Sequence, residues 1–166
     1  MDILGIDLAA KEYNPTGICY YYKKLECKIL KRDIEILDLI EILRPKIIVI
    51  DAPLSMEKFP YRDSEKELLK RGFRPMPLTI KNIRELAERA IRLKKIFEEK
   101  YNSDVLETFP RAVEKILNIN YNILKPFFRS KHLYDAWLCY LTGIFYKIGK
   151  YENIKGIILP KLYDKL

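Results

Sequence analysis

At 166 residues, 49% of them apolar, the chain has material for one hydrophobic core and is short for two. No apolar run approaches the ~20 residues of a membrane span, and one histidine with Cys19, Cys27 and Cys139, none in a C-x-x-C, excludes a Cys/His zinc site. The net charge of +8 fits a polyanion-binding surface, and it equally fits a Lys- and Glu-rich, Gln-free composition of hyperthermophile type. Three unpaired thiols point to a reducing, cytoplasmic setting. "MDILGIDLAA" carries an acid at position 2 and no basic leader, so it reads as a strand and not as a signal peptide.

In chain order, Ile3 to Ala9 predicts a first strand, "NPTG" (Asn14 to Gly17) a turn, Ile18 to Tyr22 a second strand and Leu25 to Leu30 a third, together a meander. The period then changes. Ile36, Leu39, Ile40 and Leu43 predict a helix capped by Asp33 and stopped by Pro45. "KIIVIDAPL" (Lys46 to Leu54) predicts a fourth strand, buried on both faces and ending at Asp51. Residues 55–79 read as an irregular insert with a short charged helix near Asp63 to Arg71. Thr79 is placed to cap a long helix to about Lys100. "DVLETF" (Asp104 to Phe109) predicts a fifth strand. A helix at Arg111 to Leu117 follows, and Ser130 is placed to cap a last helix from His132 to Ile148. The tail, "IKGIILPKL", is a short strand or a docked segment.

Three antiparallel strands followed by two parallel ones with crossover helices is the element order of the ribonuclease H-like fold. It implies a single α/β domain over 1–166 with a five-stranded mixed sheet, order 3-2-1-4-5, covered by helices. On that sheet Asp7 and Asp51 close two adjacent parallel strands, at the edge where open α/β sheets bind ligands. Two unpaired carboxylates that close would repel, and a divalent cation removes the conflict. In the last helix His132, Ala136, Cys139 and Gly143 form a stripe of mostly small residues that permits close packing on the sheet, with Asp135 beside it. That stripe could bring Asp135 to the same strand ends.

Taken singly, each residue has a plainer reading. Asp7 and Asp51 are also turn formers, His132 also a helix-end hydrogen bonder, and Glu107 also half of an ion pair. Asp135 is harder to dismiss, because an unpaired charge within an apolar helix is costly.

The ordered set "GIDLAA", "PTGIC", "VIDAPLS", "YRDSEKELLKRG", "MPL", "VLETFP", "HLYDAWLCYLTG" and "IKGIILP" spans nearly the whole chain. It resembles the predicted nucleases grouped as domain of unknown function 429, in the ribonuclease H-like superfamily near the Holliday-junction resolvases. The resemblance implies a two-metal phosphodiesterase using Mg²⁺ or Mn²⁺. Its acids would fall on Asp7, Asp51 and Asp135, with Glu107 and His132 as helpers, and Arg62 and Glu65 would be kept positions of the insert. The departure concerns the acid count: resolvase-type enzymes usually carry two acids in the last helix, or a His and an Asp, and here that helix offers His132 and Asp135, a single acid toward a second metal.

The expected partner is therefore nucleic acid of unspecified type. Lys11, Arg62, Lys70, Arg71, Arg74 and Lys131 would track its backbone, and no membrane is involved. The oligomeric state is left open, a homo-oligomer included. Two other functions stand beside the nuclease: a non-catalytic nucleic-acid-binding module on the same fold, and an actin-like phosphotransferase. The second is disfavoured because "DLAAKEYNPTG" has no glycine directly after Asp7 to free backbone amides for a phosphate.

Overall fold

Alternation of β-branched and aromatic residues builds three antiparallel strands at the start of the chain: β1 (Ile3–Asp7), β2 (Thr16–Tyr22) and β3 (Lys24–Leu30). The computed structural model describes residues 2–162. Helix α1 (Asp33–Leu43) follows, then β4 (Ile47–Ile50), which lies parallel to β1. The insert carries α2 (Asp63–Lys70). After it come α3 (Lys81–Tyr101) and β5 (Asp104–Glu107), which lies parallel to β4. Next are α4 (Pro110–Ile116), a short α5 (Tyr121–Leu124) with a 3₁₀ turn, and the long α6 (Lys131–Lys147). The tail forms a hairpin of β6 (Tyr151–Ile154) and β7 (Ile157–Pro160).

The sheet has seven strands in the order β3-β2-β1-β4-β5-β7-β6, where five were expected. The first five hold the expected order, and the tail extends the sheet, with β7 parallel to β5. The hairpin turns at Lys155 and Gly156, both at positive φ, and two successive positive φ values match the right-handed twist of the flanking strands. Two cap assignments also shift by one residue: Arg32 precedes α1 and Ile80 precedes α3. Ser130 caps α6 as expected, its Oγ accepting from the Leu133 amide.

The period-2 alternation of β4 divides its side chains between two cores. Ile48 and Ile50 join Leu4 and Ile6 against Ile36 and Ile40 of α1 and Leu93 and Phe97 of α3. Val49 faces the other way, with Leu106, Cys139 and Ile158 under α6. Burial on both faces is why β4 is apolar throughout. A further core gathers Leu68 of α2, Ala112 and Val113 of α4, and Tyr134 and Leu138 of α6 around β7.

Helix α6 lies unusually close to the sheet because the strands beneath it carry glycines. A Cβ at Gly5 of β1 would stand 2.2 Å from the Ala136 carbonyl oxygen, and one at Gly17 of β2 would stand 2.1 Å from the His132 carbonyl oxygen. The helix contributes Gly143, where a Cβ would meet Ile3 at 2.5 Å. The small stripe read from α6 is therefore only half of the device. The other half is in the sheet, and together they set the height at which the start of α6 meets the ends of β1 and β4.

Candidate functional site

Strand register brings Asp7 and Asp51 together. Ile6 pairs with Ile50 in parallel, the Asp51 amide donates to the Ile6 carbonyl at 2.9 Å, and each acid is the next residue. Neighbouring strands are ~4.8 Å apart. By alternation both carboxylates lie on the α6 face, continuing the parity of Gly5 and Val49. Burial pushes the Asp51 carboxyl well above the usual range, and the nearby Asp7 and Glu107 charges add to the shift, while Arg111 opposes it. An acid that resists ionising next to another acid is a place where a cation would be stabilised.

Close packing of α6 delivers His132. Its Nδ1 lies 2.7 Å from Asp7 Oδ2, and the hydrogen bond and charge of Asp7 hold the imidazole pKa above its ordinary value. The ring remains half exposed. Cys139, one small step along the same stripe, packs beneath the acid pair. Burial and the charges of Asp51 and Asp7 keep its thiol protonated far above the normal range.

The loop after Asp7 is held open from the other face. Buried Arg89 of α3 donates to the Ala9 carbonyl at 2.7 Å, to the Lys31 carbonyl at 2.9 Å and to Asp33 at 2.8 Å. Beyond the strand ends lies a cleft of about 370 Å³. Asp7, Asp51, Glu107 and Arg111 lie among its walls, along with Arg74 and Met76 of the insert.

Asp135 does not join the acid pair. Its Oδ1 accepts from Arg111 Nη2, and Arg111 Nη1 donates to Glu114 Oε2 at 2.7 Å. Among the described residues no three His, Cys, Asp or Glu side chains are gathered so as to hold a metal ion. The carboxylates brought together in this structure are Asp7 and Asp51, while Asp135 is engaged by the Arg111 guanidinium. Sequence reasoning passed over Arg111, although a signal was present. It is the second residue of α4, where the positive end of the helix dipole disfavours a cation.

Glu107 belongs to a different group. It pairs with Ile50 and so points to the face opposite Asp51, where Arg62 donates to both its oxygens, at 2.8 and 2.5 Å. The Leu54 amide donates to it as well, at 2.9 Å. Arg62 also donates to Glu65, at 2.9 and 3.1 Å, and Glu65 accepts from the Arg62 amide at 2.9 Å. All three side chains are at most 8% exposed. Arg62, Glu65 and Glu107 line the same cleft as Asp7 and Asp51, each engaged within this cluster. The cluster fastens the insert to the end of β5, because an Arg fork matches a carboxylate in two places.

The remaining expected contacts divide. Arg74 and Lys131 are exposed, and neither is engaged by another described side chain. Lys11 is partly exposed, 3.6 Å from Glu85 and over the ring of Tyr13. Lys70 is paired with Glu67 and Arg71 with Glu152.

No protein-family model matches the chain, and neither does any curated protein. Solved structures do match. Thermus thermophilus RuvC in complex with a Holliday junction substrate is 16% identical, with a TM-score of 0.51 over 90% of this chain and 97% of that one. The fold is RuvC-like. A second structure of Thermus thermophilus RuvC also matches, at 16% identity, the same coverage and a TM-score of 0.49. The RuvC likeness is one of architecture. It shows the fold alone, and the domain of unknown function 429 stands as a resemblance of sequence motifs.

The donor set at the strand ends suits a hard divalent cation in part. Asp7 and Asp51 supply adjacent hard oxygens. Asp135 does not complete the set while Arg111 holds it.

Proposed function

We propose that the protein is a metal-dependent nuclease that hydrolyses phosphodiester bonds of nucleic acid at the Asp7–Asp51 edge of the sheet. The observation that carries this reading is the pair itself: two carboxylates in register on adjacent parallel strands, at the mouth of a cleft, one raised in pKa by burial and by the other. A Mg²⁺ or Mn²⁺ ion held by Asp7 and Asp51 would supply water activation and charge neutralisation at a scissile phosphate. His132 positions Asp7 through Nδ1, which leaves its second ring nitrogen to exchange a proton with substrate or water. Arg74, Lys131 and Lys11 flank the edge with positive charge for the flanking phosphates. The RuvC-like architecture and the motif resemblance to the domain of unknown function 429 support the same reading.

Asp135 favours a second reading, a non-catalytic nucleic-acid-binding module, because its pairing with Arg111 leaves the three-acid set incomplete. Incubation with Mn²⁺ and a panel of duplex DNA, RNA, hybrid and four-way-junction substrates separates the two. The nuclease cuts at least one substrate, and chelation stops it. The binding module retains every substrate intact, and its affinity survives Asp7→Asn.

A further inference from the structure

We propose that Arg111 is the built-in second cation of this site, so that the protein binds one divalent ion and not two. The proposal rests on the nuclease reading and fixes the composition of its centre.

Arg111 engages Asp135, the third acid of the expected set. It lines the same cleft as Asp7 and Asp51. One arm of its guanidinium donates to Asp135 and the other to Glu114. Glu114 is itself fixed: its Oε1 accepts from the Tyr134 hydroxyl at 2.9 Å and from the Tyr121 amide at 3.1 Å. Tyr134 is fully buried and packs against Tyr121, Phe128 and Trp137. The guanidinium is therefore held from behind by the core of the α4–α6 interface and is not a surface side chain that happens to lie near an acid.

Its chemistry suits the role. A guanidinium is planar and stays charged at every working pH. Two arms on two carboxylates give it a fixed orientation, which a lysine would lack. Its position in the first turn of α4 works against the helix dipole, so the carboxylates are what make the placement favourable. With Asp135 satisfied in this way, two oxygen-donor side chains are left for metal, the number that suits one ion retaining several waters.

Calorimetric titration of Mn²⁺ into chelator-treated protein, with the ions counted by electron paramagnetic resonance, tests the proposal. The wild type is expected to bind one ion per chain. Arg111→Gln frees Asp135 and is expected to bind two, and Asp135→Asn added to it returns the count to one. Arg111→Lys keeps the charge and the count of one. Two ions on the wild type, or one on a folded Arg111→Gln, would overturn the proposal while leaving the nuclease reading intact. No ion on the wild type would overturn both. Should Arg111→Gln fail to fold, Asp135→Asn alone decides. One ion at unchanged affinity is expected, and a tenfold loss would make Asp135 a ligand and overturn the proposal.

Discussion

Two side chains of the site, one at a strand end and one at the start of α6, contribute a pH dependence to the metal-free protein. Asp51 and His132 both have pKa values above their ordinary ones when folded. In each case protonation favours the folded state. The contribution is full below the unfolded pKa and is lost as the pH rises through the folded one. For Asp51 the loss begins above ~4 and for His132 above ~6.5. In chelator, the melting temperature of the wild type relative to Asp51→Asn should therefore fall as pH rises past ~4, and relative to His132→Gln as it rises past ~6.5. Differences that stay flat with pH would contradict this assignment. The Arg62 cluster makes a separate prediction. Arg62→Met leaves Glu65 and Glu107 buried without their cation and should cost about 3–5 kcal/mol in urea unfolding. A loss under ~1 kcal/mol would mean that the cluster is hydrated and open.

Among the elements, α6 decides whether a site exists at all. Gly5→Ala would put a methyl 2.2 Å from one helix backbone atom and 2.4 Å from another, and backbone cannot step aside as a flexible side chain can. We expect a loss of about 1–3 kcal/mol or more, together with loss of the His132 pH signature as the helix lifts from Asp7. Retention of that signature would show that the helix does not need its close seat. The sequence foretold this helix and its small stripe, because a period of 3.6 is visible in residues 132–148. The glycines it rests on were not legible as its partners, since which strand lies under which helix is a tertiary fact. Strand parity explains the ion pairing of Glu107. It ends β5 just as an acid follows β4, yet it falls one residue out of phase with Asp51 and so faces the other core. The tail, for which the sequence predicts a short strand or docked segment, forms a full hairpin through the positive-φ turn at Lys155 and Gly156.

For the whole molecule, a seven-stranded sheet with helices on both faces leaves the carboxyl ends of β1 and β4 as the open edge. The element order made the first five strands legible. The contents of the edge were legible only as residue types, because Arg111 reaches Asp135 through the packing of α4 on α6. The net charge of +8 and the unengaged Arg74 and Lys131 predict nucleic-acid binding that weakens steeply with salt. Arg74→Ala and Lys131→Ala should each reduce the slope of log K against log salt by about one. An unchanged slope would place the bound strand elsewhere.

The most direct test of the central claim is Mn²⁺-dependent cleavage by wild type and Asp51→Asn on the same substrate panel, with melting temperatures recorded in chelator. The account predicts cleavage by the wild type and none by the variant. It also predicts a melting temperature at pH 8 that is unchanged or higher in the variant, because the substitution removes a buried like-charge repulsion. Equal cleavage by the two proteins, or loss of cleavage accompanied by unfolding of the variant, would contradict it.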